Sequence, residues 1–355
     1  MINFGVVGAG WRTEFYLRIA QACPERFQVA GVVARNPQRA EHLQRLFGVP
    51  TFATVDDLLN ASRPLFMVTS VNWASNPGMI KDLVSRGMPV LSETPPAATL
   101  EEMNELCALM GKGAKIQVAE QYFLQPQHAA RLAFTASGKL GTITQAQISA
   151  AHGYHGISLM RKFLGITYEN ARIQGLAFQS PIVGGAGRNG PPVEEKIVSS
   201  KQEIFVFDFG GKLGVFDFTG DQYFSYIRGQ RLLVRGERGE IRNDIAVYLQ
   251  DYLTPIQVEF IRHEAGVNGN LEGQYLKGIQ AGAVWWYRNP LAPGRLADDE
   301  IAIGDCLLRM AEYAGGGEPF YPLAHACQDR YLDIMMHASL DGKAVQTETQ
   351  VWAGD

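Results

Sequence analysis

The chain has 355 residues, 46% apolar and 19% charged, with a formal net charge of −4. This length exceeds one ordinary core and points to two domains, and the composition is that of a globular protein. The weakly acidic balance excludes nucleic acid as a partner, and no apolar run is long enough to span a membrane.

Ile2-Asn3-Phe4-Gly5-Val6-Val7 is a short apolar run that predicts a buried strand. It breaks at Gly8-Ala9-Gly10, and Thr13 to Ala22 then carries helical periodicity through Phe15, Leu17, Ile19 and Ala20. A second β-rich run, Val29 to Ala34, completes a βαβ unit with glycines in its first turn. That arrangement is the physical basis of a dinucleotide site. Gly8 permits the tight turn and Gly10 lets backbone approach a pyrophosphate, with Trp11 and Arg12 opening the helix whose N-terminus faces it. Thr13 replaces the third glycine of G-x-G-x-x-G, which predicts a slightly wider separation of helix and strand. The second strand ends in Ala34-Arg35-Asn36, with no acid for a ribose 2′-hydroxyl. Arg35 suits a 2′-phosphate, stacking on adenine, or plain solvation, so the cofactor is NAD or NADP with the balance tilted to NADP.

Asn36-Pro37 predicts a capped helix ending near Phe47-Gly48, and Thr54 caps a short helix over Val55 to Asn60. Leu65 to Thr69 is the next strand, Asn76-Pro77 opens a helix that stops at Gly87, and Val90 to Ser92 is a strand ending at Glu93-Thr94-Pro95-Pro96. Thr99 and Glu102 form a capping box, and Ile116 to Ala119 closes the series. Strands alternating with helices predict a doubly wound parallel sheet over 1–121, with ligands gathered beyond the strand C-terminal ends. That rule nominates Thr69, Ser70, Asn72, Trp73, Glu93, Thr94 and the run Glu120-Gln121-Tyr122, besides Gly8 to Thr13 and Arg35.

From 122 to 355 the pattern changes. A helix from Pro126 to Ser137 leads through Gly138-Lys139-Leu140-Gly141 into a strand at Ile143 to Ser149, then His152-Gly153-Tyr154-His155 and an apolar helix to Leu164. Short β-rich runs from Gln202 to Arg242, separated by Gly-containing turns, predict an antiparallel meander. Gly184 to Pro192 reads as a surface loop, Trp285-Trp286-Tyr287 as core or subunit interface, and Asp298 to Ala314 and Leu323 to Gly342 as helices packing back on the domains. Cys23, Cys107, Cys306 and Cys327 lack metal-type spacing and read as reduced, buried thiols; no metal site is expected. The chain enters a strand directly, without a basic leader, so the expected location is the cytoplasm.

With these residues in hand, the chain resembles the Gfo/Idh/MocA family of NAD(P)-dependent oxidoreductases. The resemblance is carried by the N-terminal fingerprint, by Glu93-Thr94-Pro95, by Gly138-Lys139-Leu140-Gly141, by His152 and its following helix, and by the Gly236-Glu237-Arg238-Gly239-Glu240-Ile241 turn. It implies a Rossmann domain joined to a C-terminal α/β domain whose open, largely antiparallel sheet mediates homo-oligomerisation. It also implies a sugar, cyclitol or related polyol or keto substrate. The family's Glu-Lys-Pro lysine is Thr94 here, which supplies neither charge nor a titrating amine. His155 matches the histidine of the family's Asp-x-x-x-His, while Ala151 and Ser158 stand where aspartates are expected and Gln121-Tyr122-Phe123 where Asn-x-Arg is expected.

Hydride transfer needs an accompanying acid or base, and His155 is the candidate, with Tyr154 and Thr94 orienting the substrate. Glu93, by resemblance, lies near the nicotinamide ribose. Arg161 and Lys162 follow on the helix as a solvated face or as contacts for an anionic substrate. Besides net oxidoreduction, two functions suit this reading: glycoside cleavage by transient oxidation and elimination, and nucleotide binding without catalysis.

Overall fold

Two sheets organise the chain, and the computed structural model describes them through residues 1–188, 190–269 and 271–354. The first comprises β1 (Ile2–Val7), β2 (Phe27–Val33), β3 (Thr51–Phe52), β4 (Phe66–Thr69), β5 (Val90–Ser92) and β6 (Ile116–Val118). All six run parallel, in the order β3-β2-β1-β4-β5-β6. The crossovers carry α1 (Trp11–Ala22), α2 (Pro37–Phe47), α3 (Val55–Ala61), α4 (Asn76–Ser85) and α5 (Leu100–Met110). Parallel strands are covered on both faces, which is why β1 and β4 read as continuous apolar runs: Phe4, Val6, Phe66 and Val68 are all fully buried. The expected helix starts form as the side chains dictate. Asn36 accepts from the Arg39 amide, and Thr54 with Asp57 and Thr99 with Glu102 close reciprocal capping boxes. The chain reverses its direction of travel across the sheet between β1 and β4, so their C-terminal ends flank the crevice where ligands bind in such folds.

The second part begins with α6 (Pro126–Ala136), β7 (Ile143–Ser149) and α7 (Gly153–Leu164). It continues with β8 (Arg172–Val183), β9 (Ile197–Asp208), β10 (Leu213–Thr219), β11 (Arg231–Gly236), β12 (Gly239–Arg242), β13 (Ile245–Leu249), β14 (Pro255–Glu264), β15 (Leu276–Ala281) and β16 (Val284–Arg288). Then come α8 (Asp298–Ala314), α9 (Leu323–Ala338) and β17 (Val345–Gln346). These strands form one sheet of 11, ordered β16-β15-β14-β13-β12-β11-β7-β10-β9-β8-β17. The expected meander is therefore interrupted. β7 inserts between β10 and β11, pairing parallel with the first and antiparallel with the second, and the sheet extends well past Arg242. The fold is α/β, a doubly wound parallel sheet followed by a largely antiparallel one, as the sequence predicts.

One face of the second sheet packs against α6, α7 and α9 around Ala146, Ile148, Phe205, Phe216, Leu332 and Met336. The opposite face is open over part of its area. Strand pairing places Leu176, Phe178, Val206, Leu213, Ile245 and Ile261 together on it, all exposed. The last two helices pack back as expected. Ile303, Cys306, Leu307 and Met310 of α8 join Phe4, Tyr16, Leu17 and Ile19 in one core, and Leu323 and Cys327 of α9 join Leu106 and Val118 in another. All four cysteines are buried, and none is in a disulfide. Among the described residues no helix is long and apolar enough to cross a membrane.

Candidate active site

The first turn is built by close backbone approach. Gly8 sits at φ +116°, and a Cβ there would lie 2.0 Å from the Ser70 carbonyl oxygen, so only glycine allows the β1 and β4 ends to meet. Gly10 is different. A Cβ there would touch nothing within 4 Å, because the residue faces an open cleft. No side chain caps α1, so its first amide groups and positive dipole end point into that cleft. Thr13 is fully buried and does not simply push helix and strand apart. Its hydroxyl donates to the Gly8 carbonyl (3.0 Å) and lies 3.1 Å from Ser70 Oγ, pinning the turn that a third glycine would leave unbonded.

The cleft has a volume of about 580 Å³ and is lined by Gly8, Gly10, Arg35, Ser70 and Asn72 among the nominated residues. Asn36 and Arg39 also line it, and sequence reasoning missed both; Arg39 is tied down by the Ala9 carbonyl (2.9 Å) and Glu14 (2.8 Å). A glycine cradle, an uncapped helix N-terminus and a cleft of this size fit a dinucleotide. Arg35 lines this cleft, and among the described residues of the lining there is no acid.

A second cavity, of about 440 Å³, opens beside the first and shares Gly10, Ser70, Val71 and Asn72 with it. It gathers Trp11, Arg12, Trp73, Glu93, Thr94, Tyr154 and His155 from the nominated set, together with His152 and Arg188. Thr69 and Gln121 line neither cavity. Thr69 is fully buried in the sheet, and Gln121 bonds the Asp299 carboxylate (3.4 Å) behind the site. Arg161 is buried against Asp329, and Lys162 lies 4.8 Å from the Phe123 ring, so neither reaches either cavity.

Electrostatics divides the second cavity into paired and unpaired groups. Glu93 accepts from Tyr16 Oη (2.5 Å) and faces Arg12 Nε (3.6 Å), and Arg12 reaches Asp299 at 3.2 Å. Burial alone would lower the Arg12 pKa, but the charges of Glu93 and then Asp299 carry it above its usual value. Tyr154 Oη donates to the Thr94 carbonyl (3.4 Å), joining α7 to the end of β5, and burial raises its pKa.

His155 is 3% exposed, and its Nδ1 lies 2.5 Å from Oε2 of Glu120, itself 1% exposed at the end of β6. Burial pushes the Glu120 carboxyl up to about 8 and, with the charge of Arg12 next, lowers the imidazole to about 3. Each group resists carrying charge alone, so near neutrality one proton is held on the line between them and the pair is uncharged overall. The Tyr122 ring centroid lies 4.6 Å from that of His155, and the Tyr122 phenol lies 3.3 Å from Tyr223 Oη, which in turn lies 2.5 Å from His152 Nδ1. The strand-end rule nominated Glu120, but only the packing of α7 against the β6 end reveals its partner.

Residues 2–121 match the Gfo/Idh/MocA family, described as an oxidoreductase family with an NAD-binding Rossmann fold. An uncharacterized protein of Saccharomyces cerevisiae is 24% identical over 130 residues, 35% of this chain and 37% of the yeast protein, so the match spans little more than a third of that relative. Among solved structures, levoglucosan dehydrogenase in complex with NADH superposes with a TM-score of 0.69 at 15% identity, covering 98% of this chain and 100% of that one. A putative myo-inositol dehydrogenase from Sinorhizobium meliloti gives 0.65 at 14% identity over 99% and 100% of the two chains. An oxidoreductase from Agrobacterium radiobacter, solved with NAD+, L-tartaric acid and magnesium, gives 0.64 at 14% over 97% and 98%. The whole chain therefore shares the two-part fold of these proteins, and its residues 2–121 match the NAD-binding Rossmann fold of the Gfo/Idh/MocA oxidoreductase family.

Proposed function

We propose that this chain is a nicotinamide-dependent oxidoreductase that interconverts a hydroxyl-bearing carbon and a carbonyl in a sugar-like compound. The observation that carries it is the Glu120–His155 contact of 2.5 Å, whose histidine lines a cavity that adjoins the glycine cradle. A bound nicotinamide would supply the hydride acceptor or donor; Gly8, Gly10, Ser70 and Asn72 would hold the nucleotide, and Glu93 would face its nicotinamide end. The chain's own residues move the proton. With Glu120 protonated, its hydroxyl donates to Nδ1, and the imidazole carries its N–H on Nε2, ready to protonate a forming alkoxide. Loss of one proton from the pair leaves Nδ1–H donating to the carboxylate and a lone pair on Nε2, ready to accept the proton of a hydroxyl. Thr94 and Tyr154, joined by their hydrogen bond, orient the substrate between the strand end and α7.

The names of the structural neighbours, dehydrogenases of levoglucosan and of inositol, support a carbohydrate or cyclitol. The absence of an acid beside Arg35 supports NADP over NAD. The exposed apolar side chains on the open sheet face support self-association through it. The test is His155→Ala: turnover on a panel of polyols and sugars should fall at least about a hundredfold while NADH and NADPH binding stays unchanged. Full turnover in that variant would remove His155 from the mechanism.

A further inference from the structure

The second cavity holds one cation that the reading above leaves unused. Arg188 sits at the tip of the β8–β9 connection, where Gly187 and Gly190 exchange both backbone hydrogen bonds at 3.0 Å. The base of this hairpin is seated. Gly184 donates to the Lys196 carbonyl (2.8 Å), and a Cβ on Gly185 would lie 3.1 Å from Ser225 Cα, so the tip is aimed by packing on both sides. The guanidinium lies over the Trp11 ring, 4.6 Å from its centroid, at the first residue of α1. Among the described residues no carboxylate lies within ion-pair reach of it.

The other charges of this cavity are satisfied. Glu93, the only carboxylate among the described residues of the lining, is taken by Tyr16 and Arg12, and Arg12 is neutralised by Glu93 and Asp299. Arg188 therefore gives the cavity one uncompensated positive charge. Stacking on an indole fixes the plane of a guanidinium while leaving its N–H edge free, the geometry that receives a carboxylate with two parallel hydrogen bonds. We infer that Arg188 is the counter-charge for a carboxylate on the substrate, and that the cavity selects sugar acids over neutral sugars. This rests on the oxidoreductase reading for what happens to the acid, not for its binding. The rival anion is the nucleotide pyrophosphate. Arg188 lines the second cavity and not the first, which places it on the substrate side.

The test is binding to the full-length protein loaded with NADH, by calorimetry and tryptophan fluorescence. D-Glucuronate is compared with D-glucose, and D-galacturonate with D-galactose. At least one acid should bind about tenfold or more tightly than its neutral partner, the scale of one charge-assisted hydrogen-bond pair. Arg188→Ala should erase that difference and leave NADH affinity within about twofold, whereas Arg188→Lys should keep part of it. Equal affinity for acid and neutral sugar, or no binding of either acid, overturns the proposal. So does a parallel loss of NADH affinity in Arg188→Ala, which would assign the arginine to the pyrophosphate. An acid that binds through Arg188 but is never oxidised would uphold the inference and sink the oxidoreductase reading instead.

Discussion

Replacing Glu120 with Gln tests the proton-transfer pair directly, because the amide keeps the shape and removes the titrating proton. The wild-type carboxyl sits at about 8. Oxidation of a hydroxyl needs the deprotonated pair, so its rate should climb as pH rises toward that value and level off above it. One unit below, roughly a tenth of the molecules are in the competent state, so about a tenfold gain should separate pH 7 from pH 9. Reduction of the carbonyl needs the protonated pair and should show the mirror profile. In Glu120→Gln the remaining titration is that of the imidazole, which burial holds low, at about 3. The step near 8 should vanish, and turnover should fall by roughly 10- to 100-fold for loss of a buried charge-assisted bond. Initial rates of NADH formation across this pH range read the kinetics. The ring-nitrogen NMR shifts of His155, assigned by difference from His155→Ala, read the proton without needing a substrate. A variant that keeps the wild-type midpoint and turnover within about twofold would refute the pairing.

The two glycines of the first turn should behave oppositely. Gly8→Ala places a methyl group 2.0 Å from the Ser70 oxygen at positive φ, so it should lower the melting temperature through strain of at least about 1–3 kcal/mol. Gly10→Ala touches nothing within the protein and should melt like the wild type while weakening NADH binding about tenfold or more. Arg35→Ala should cost NADPH about tenfold in affinity and NADH less than about twofold by equilibrium titration; the reverse order would place Arg35 on the adenine instead. Leu176→Glu with Phe178→Glu, on the open sheet face, should convert any assembly to monomers in sedimentation without altering nucleotide affinity.

The first sheet was legible because each of its signals is local. A strand, a glycine turn and a capped helix lie within a few residues of one another, and Asn36, Thr54 and Thr99 cap the helices that follow them. The second sheet was legible only where tight glycine turns separate its strands. β8 carries Gly175 and Pro181 within twelve residues, and β14 opens on Pro255, so neither shows clean alternation. The insertion of β7 beside β10 joins residues about 70 apart and leaves no periodic trace. The site divides in the same way. Gly8, Gly10, Thr94 and His155 could be named from motifs, whereas the partners that set their chemistry come from afar. Glu120 lies 35 positions from His155, and Asp299 lies 287 from Arg12. Thr13 misled in a small way: read as a missing glycine, it supplies a hydrogen bond that glycine has no atom to make.

The packing of α8 onto α1 has a consequence for how the chain is made. The strands and crossovers of the first sheet are complete once β6 has been synthesised, yet the flank carrying Phe4, Tyr16 and Ile19 stays bare until Ile303, Leu307 and Met310 arrive. At ordinary elongation rates that interval is roughly 10 to 40 s. Through it the nascent nucleotide-binding half presents an apolar surface to whatever else is in solution, which favours capture by a chaperone over early, independent folding. The same geometry governs engineering. A graft of this nucleotide-binding part onto another scaffold needs the segment Asp298–Ala314 as well, because that distant helix is its missing wall.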